Sequence, residues 1–251
     1  MAALLALAGC GGGPSSYYRA LPDKKASIDS MGVIVDFTLI EGLMGDTSKI
    51  DLIENRRLGE ALLTQCADSL TRGGYPVRRT ALTSIGLLMK PAGAYRIVRS
   101  TATQHIDSQD LPLGSPPFFV DDEFMHDTLL MQLRTLYLSL LALSQRGERD
   151  STPIPEAMPI GKELGCGTMA VILVGGFNTP VSKGIGKTTP NESNTMGIVT
   201  LQSVSQLSVM LFLIDAVNGK VLWDDKKYLT GGVIFPEKIF GAAGDLLEEL
   251  P

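Results

Sequence analysis

Apolar and polar positions along the 251-residue chain fall into two periods, and the expected elements follow from them. Met31 to Phe37 is a short run rich in β-branched residues, which predicts a strand. Gly42 to Thr47 reads as a loop. From Ile53 to Arg72 the spacing changes: Leu58, Leu62, Cys66 and Leu70 recur every fourth residue, while Arg56, Arg57, Glu60 and Asp68 mark other faces. That pattern predicts an amphipathic helix, stopped by Gly73-Gly74. Tyr75-Pro76-Val77 then opens a second extended segment, so the region forms a βαβ-like unit.

The stretch 89–120 is rich in Pro, Gly and Ser and gives no clear period. A long helix is predicted from Val120 to Gln145, with Asp121-Asp122-Glu123 at its positive N-terminal end. Leu129, Leu133, Leu136, Leu140 and Leu143 form one stripe along it, and Leu130, Tyr137 and Leu141 a second. An apolar arc this wide belongs to the core or to a protein interface, and the core is the reading preferred here. Glu156 to Leu164 reads as a short helix. Met169 to Val174 is a continuous apolar run between glycines, as expected of a strand covered on both faces. Residues 178–195 are polar and read as a mobile loop. The segment 197–215 is β-prone, Val221-Leu222-Trp223 begins another strand, and Asn218-Gly219 between them is the preferred pair for a type I′ hairpin turn. A closing helix from Pro236 to Leu250 presents Ile239, Phe240, Leu246 and Leu247. The expected fold class is α/β: a mixed sheet with flanking helices, a βαβ-like N-terminal unit and a C-terminal antiparallel hairpin.

Composition narrows the function. Hydrophobic residues make up 44% of the chain, enough for a sizeable core. The net charge of −5 and the scattered basic residues exclude nucleic acid as a partner. No apolar run is long enough for a spanning helix. Cys10, Cys66 and Cys166 lie far apart and form no metal-binding or redox pair.

The first residues carry the most specific signal. Leu7-Ala8-Gly9-Cys10 resembles the lipobox of bacterial lipoproteins. The resemblance implies that Cys10 takes a diacylglycerol and, after cleavage, a further acyl chain such as palmitate. The Gly11-Gly12-Gly13-Pro14-Ser15-Ser16 stretch that follows is a flexible tether by composition. Gly rather than Asp at position 11 implies, by the same resemblance, the outer membrane and a domain facing the periplasm. No Lys or Arg precedes Cys10 and the apolar run is short, as for a chain whose start lies upstream of Met1. The expected organisation is a signal remnant and lipobox at 1–10, a tether at 11–29 and a single α/β periplasmic domain at 30–251.

A second resemblance spans the domain. The early strand, the helix containing Leu58-Gly59-Glu60-Ala61-Leu62, the Gly74-Tyr75-Pro76-Val77 exit, the Asp215-Ala216-x-x-Gly219-x-Val221-Leu222-Trp223 hairpin and the Leu246-to-Pro251 end are similar to a group of periplasmic lipoproteins. That group resembles the TolB amino-terminal-like fold. It includes the curli secretion lipoprotein, lipoprotein activators of penicillin-binding proteins and lipoproteins related to a neisserial vaccine-candidate antigen. The resemblance implies a two- or three-layer α/β sandwich and an envelope role, and it transfers no catalytic residue.

Other chemistry is thin. Gly184-Ile185-Gly186-Lys187-Thr188-Thr189 has Val181 where a phosphate-binding P-loop needs its first Gly, and Pro190-Asn191 is a poor helix start. His105 and His126 form no zinc motif, and no G-x-S-x-G elbow accompanies them. The Asp121-Asp122-Glu123 acids are explained by the helix dipole. Cys66 falls on an apolar stripe and reads as a small buried hydrophobe; a Cys66–Cys166 disulfide is the alternative in an oxidising compartment. Trp223 reads as a core or rim aromatic. No catalytic, cofactor or metal residue is assigned. The expected function is a non-enzymatic interaction or assembly module of the envelope. It touches the membrane through the Cys10 anchor, together with an envelope protein partner or further copies of itself. A ring-forming secretion or transport component and an envelope hydrolase are the alternatives.

Overall fold

A computed structural model describes residues 28–42, 48–85, 94–99, 102–107, 119–120, 127–146, 152–178 and 205–250. The first strand, β1 (Met31–Glu41), runs past Phe37 and is buried along nearly its whole length. It lies between two parallel neighbours. One edge pairs with β7 (Thr168–Asn178) from Met31↔Thr168 to Glu41↔Asn178. The other pairs with β3 (Val77–Ser84) over Met31 to Asp36. Beyond β7 the sheet turns antiparallel, through β8 (Ser205–Asp215) and β9 (Lys220–Gly231).

Smaller strands complete the other side. β2 (Ser48–Asp51) meets β1 at Glu41↔Lys49, then pairs with β4 (Ala94–Arg99), which pairs in turn with β5 (Ala102–Asp107). β6 (Phe119–Val120) lies against Ser84 and Thr83. The expected mixed sheet and βαβ-like unit are both present. Three things differ from expectation. A short hairpin, β4–β5, occupies part of the stretch that gave no period. Phe119-Val120 is a strand, so the long helix does not start at Val120. It spans Asp127–Arg146 instead, and residues 121–126 lie outside the described ones.

Helices cover both faces. On one face, α1 (Leu52–Arg72) and α4 (Pro236–Glu248) pack side by side. Leu58, Leu62, Cys66 and Leu70 of α1 and Ile239 and Leu246 of α4 meet Val33, Val35 and Phe37 of β1 and Trp223 of β9. Alternate residues of each strand point this way, the period of 2 expected of a pleated strand. On the other face, α2 (Asp127–Arg146) and α3 (Ala157–Leu164) cover Ile34, Val171, Leu173, Phe212 and Ile214. The architecture is a three-layer α/β/α sandwich.

Local chemistry fixes the ends. The Asp51 carboxylate accepts the Glu54 N–H at 3.1 Å and caps α1. Gly74, at φ +85°, turns the chain out of the helix. The β8–β9 hairpin forms as expected, but its turn is not the two-residue type I′. Asp215 pairs with Lys220, which leaves residues 216–219 in the loop. The Asp215 carboxylate accepts the N–H groups of Val217 and Asn218 at 3.0 and 3.1 Å and so organises the wider turn. Gly219 sits at φ +68°, and a Cβ there would stand 2.5 Å from the Ile154 carbonyl oxygen. At the start of the domain, Ile28 is already part of the core. The Ser30 hydroxyl accepts the Gly167 N–H at 3.1 Å and ties the entry of the chain to the start of β7.

Candidate functional site

In α/β sheets ligands bind at the carboxyl ends of the strands, and the described residues hold a cleft there. β1 and β7 end side by side, and α1 and α4 both begin at that edge. A cavity of about 220 Å³ lies between them, with Leu39, Leu58, Ile234 and Ile239 among its lining and Glu41, Asp51, Glu54 and Phe235 around it. Two amides shape it, Asn55 buried and Asn178 half-buried. Asn55 accepts the Leu39 N–H at 2.5 Å and donates to the Leu39 and Asp51 carbonyls at 3.1 and 2.7 Å. It replaces a neighbouring strand where β3 has already left β1. Asn178 does the same for Ile234, accepting its N–H at 2.9 Å and donating to its carbonyl at 2.8 Å.

Two cations face the three carboxylates around the cleft. Lys49 lies 2.8 Å from Asp51 and 3.6 Å from Glu41, and Arg57 lies 2.6 Å from Glu54. Burial pushes the Asp51 carboxyl up, but Lys49 and the capped N–H groups outweigh it and leave it below the ordinary range. Arg57 holds Glu54 low, and Asp51 holds Lys49 high. With its amides committed to backbone, the cleft offers apolar contact at Leu39, Leu58, Ile234 and Ile239 beside a rim of three carboxylates that share two cations. It presents no nucleophile beside a base.

A second polar cluster lies inside the molecule, beneath α2. Asp36, in the middle of β1, is 2% exposed. One carboxylate oxygen accepts the Thr83 hydroxyl at 2.8 Å and the Ile85 N–H at 2.9 Å. Thr83 Oγ1 is also 2.9 Å from the Tyr137 hydroxyl of α2. Thr38 and Ser84 share a hydrogen bond of 2.8 Å on the same side of the sheet. Burial pushes the Asp36 carboxyl up to about 7, against the downward pull of Thr83 and Ile85. Burial and the Asp36 charge hold Tyr137 well above its ordinary value. Asp36, Thr83 and Tyr137 all lie within the core, none more than 2% exposed. Its sequence signal was one acid between Val35 and Phe37 in an otherwise apolar strand.

The third feature is the outer side of α2. Leu129, Leu133, Leu136 and Leu140 are buried as the leucine stripe predicts, and Tyr137 joins them. Yet Met131 and Leu138 on the opposite side are 54% and 43% exposed. Arg134 is the one charged residue between Thr128 and Ser144, and it is buried.

The residues singled out in the sequence are not brought together into a site. Cys10 lies outside the described residues, as do His126, the Asp121-Asp122-Glu123 acids, Gly184 to Thr189 and all but Asn178 of the 178–195 loop. His105 lies on β5 in register with Arg96. Cys66 and Cys166 are free and buried in separate cores on opposite faces of the sheet, which excludes the disulfide. Burial raises the Cys66 thiol to about 12 and also raises Cys166. Both are therefore poor nucleophiles. Trp223 is a core residue, 1% exposed. Among the described residues no group of His, Cys, Asp and Glu is arranged to hold a metal ion, and no helix is long and apolar enough to cross a membrane.

No family model matches the chain, and no curated protein matches it. Solved structures do. A PelC dodecamer from Paraburkholderia phytofirmans is 12% identical, with 88% of this chain and 86% of that chain covered at a TM-score of 0.34. A variant of the same dodecamer gives 12%, 88%, 88% and 0.34. Lipoprotein GNA1162 from Neisseria meningitidis is 13% identical, with 84% of this chain and 90% of that chain covered at a TM-score of 0.29.

Proposed function

We propose that the chain is a lipoprotein of the bacterial envelope, anchored to the outer membrane through Cys10, whose α/β domain is a non-enzymatic interaction module facing the periplasm. The observation that carries this reading is Leu7-Ala8-Gly9-Cys10 followed at once by a Gly/Ser-rich stretch. The organisation is a lipobox at 1–10, a tether at 11–29 and a domain at 30–251. Ile28 is the first described core residue, and 17 residues separate it from Cys10. A flexible chain of that length has an end-to-end distance of about 20–25 Å, enough to hold a domain just clear of a bilayer. Several acyl chains on one cysteine, each contributing about 0.8 kcal/mol per buried CH₂, make such anchoring stable. The partner side of the reading is supported by the exposed apolar side chains Met131 and Leu138 on the outer side of α2.

The test is intact-mass analysis of protein expressed in a Gram-negative host from a gene with its upstream start, beside Cys10→Ser. The expected product begins at Cys10 and carries a diacylglycerol and an acyl chain, and the variant carries neither. An unlipidated wild type would remove the anchor and the envelope assignment with it.

A further inference from the structure

The sheet gives the domain two unlike ends. At one end β1, β3 and β7 all begin, in register at Met31, Val77 and Thr168, and β8 finishes beside them at Asp215. The connections into β3 and β7 and out of β8 are short here: residues 73–76, 165–167 and 216–219. Backbone hydrogen bonds hold them in place. The Met31 N–H donates to the Pro76 carbonyl at 2.9 Å, and the Ala216 N–H to the Gly167 carbonyl at 2.9 Å. At the other end β1 and β7 finish together at Glu41 and Asn178, α1 and α4 begin, and the cleft lies between them. There the chain between Asn178 and Ser205 is 26 residues long.

The chain enters the domain at the end with the short turns. The Ser30 hydroxyl accepts the Gly167 N–H at 3.1 Å, and the Ser30 carbonyl accepts the Thr168 N–H at 3.2 Å. The entry is therefore fixed beside the start of β7 and the 216–219 turn. Val217 in that turn is 67% exposed. With an anchor at Cys10, 17 residues separate the bilayer from Ile28, a relaxed span of about 20–25 Å. β1 has 11 residues and is about 36 Å long. Setting the cleft end against the membrane would lift the chain entry by about that length. The tether would then stretch to about one and a half times its relaxed span, at a cost in conformational entropy. Setting the short-turn end against the membrane requires no stretching. We infer that the domain stands on the lipid headgroups of its own membrane through the end that carries the 73–76, 165–167 and 216–219 turns, with the cleft and the 179–204 connection facing away. The inference rests on the anchor at Cys10.

It is tested by measuring the height of two sites above a bilayer. A fluorescent donor is attached to a genetically encoded azidophenylalanine that replaces Val217, or Phe235, which is 52% exposed beside the cleft. The lipidated chain is reconstituted in phosphatidylethanolamine–phosphatidylglycerol vesicles whose headgroups carry an acceptor. Energy transfer from position 217 should be at least about twofold that from position 235, because the two sites differ in height by about the length of the sheet. Equal transfer from the two sites would show a domain that tumbles freely on its tether, and stronger transfer from position 235 a domain that stands on its cleft end. Either result would overturn the inference. If the host leaves the chain unlipidated, the full chain is coupled through Cys10 to a maleimide lipid in the same vesicles, since Cys66 and Cys166 are buried. The two heights are then read in the same way, so the orientation and the lipidation fail separately.

Discussion

The two faces of the sheet are built on opposite plans. Under α1 and α4 the core is apolar from Val33 to Phe37, and the charges of α1 stand outside in water. Under α2 the order is reversed: Asp36, Thr83 and Tyr137 are polar and inside, while Met131 and Leu138 are apolar and outside. The first plan is what solvation alone dictates. The second needs other reasons. Inside, Asp36 and Thr83 are register partners on β1 and β3, and Tyr137 reaches down from α2 to Thr83. A slip of one residue would move Thr83 to the apolar face, so the cluster fixes strand register and seats α2 together. Outside, Met131 and Leu138 stand where α1 carries charges.

The largest expected effect tests the inner half of this contrast. The folded state holds a proton on Asp36 up to about pH 7, whereas an unfolded aspartate releases it near pH 4. Between those values the native state binds more protons, so stability falls as pH rises and is level above pH 7. The fall is at most about 4 kcal/mol, three pH units at about 1.4 kcal/mol each. Asp36→Asn should match the wild type near pH 4 and exceed it at pH 8, as followed by urea unfolding across that range. Parallel pH profiles for the two proteins would show that Asp36 is an ordinary, solvated acid.

Next in size is Asn55→Leu, on the side where the core is dry. It removes the bonds to Leu39 and Asp51 and leaves a buried N–H and carbonyl of β1 unsatisfied. The expected cost is about 2–3 kcal/mol in urea unfolding. A loss below about 0.5 kcal/mol would mean that water replaces the amide. Tyr137→Phe, on the polar side, should cost about 1 kcal/mol, because Thr83 keeps its bond to Asp36. Near neutral pH it should also shift the Asp36 titration, which the Asn55 change should not do.

The apolar plan was readable in the sequence and the polar plan was not. Leu58, Leu62, Cys66 and Leu70 announced both a helix and its buried face, because a solvated exterior and a dry interior produce a clean period. The hairpin around Gly219 was legible for the same local reason, although the Asp215 carboxylate widened its turn. β4 and β5 were not legible, since short strands with mixed composition are defined by pairing with each other. The start of α2 was misplaced because Asp121-Asp122-Glu123 reads as an acidic first turn, yet the backbone of Phe119-Val120 just before it is taken by Ser84 and Thr83. Within α2 the leucines masked the exposed Met131 and Leu138: with so many apolar residues, no single face stood out. Asp36 was visible only as an acid out of place, and Thr83 and Tyr137, its network partners, carry no signal until β3 and α2 are brought over β1.

The smallest effect is the most discriminating between the two exteriors. Ile53 on α1 and Leu138 on α2 are similar in size and exposure, at 55% and 43%. Glutamate at either position adds a charge to an exposed helical site, and a surface change of that kind stays within about 0.5 kcal/mol. Unfolding of a dilute chain should therefore rank the two variants as equals. At Ile53 the new acid joins the N-terminal turn of α1, beside Glu54 and the Asp51 cap. The helix dipole favours a negative charge there by a few tenths of a kcal/mol. At Leu138 the charge stands in the middle of an uncharged stripe, with no dipole to gain from. If solvent governs both faces alike, the pair should also remain equal when the protein is concentrated. If the outer face of α2 is covered, Leu138→Glu alone should lose the added stability that concentration confers, because an associated state raises the melting temperature by mass action. Melting at low and high protein concentration separates the two cases. A wild type whose melting temperature does not move would place the exterior of α2 under the same rule as that of α1.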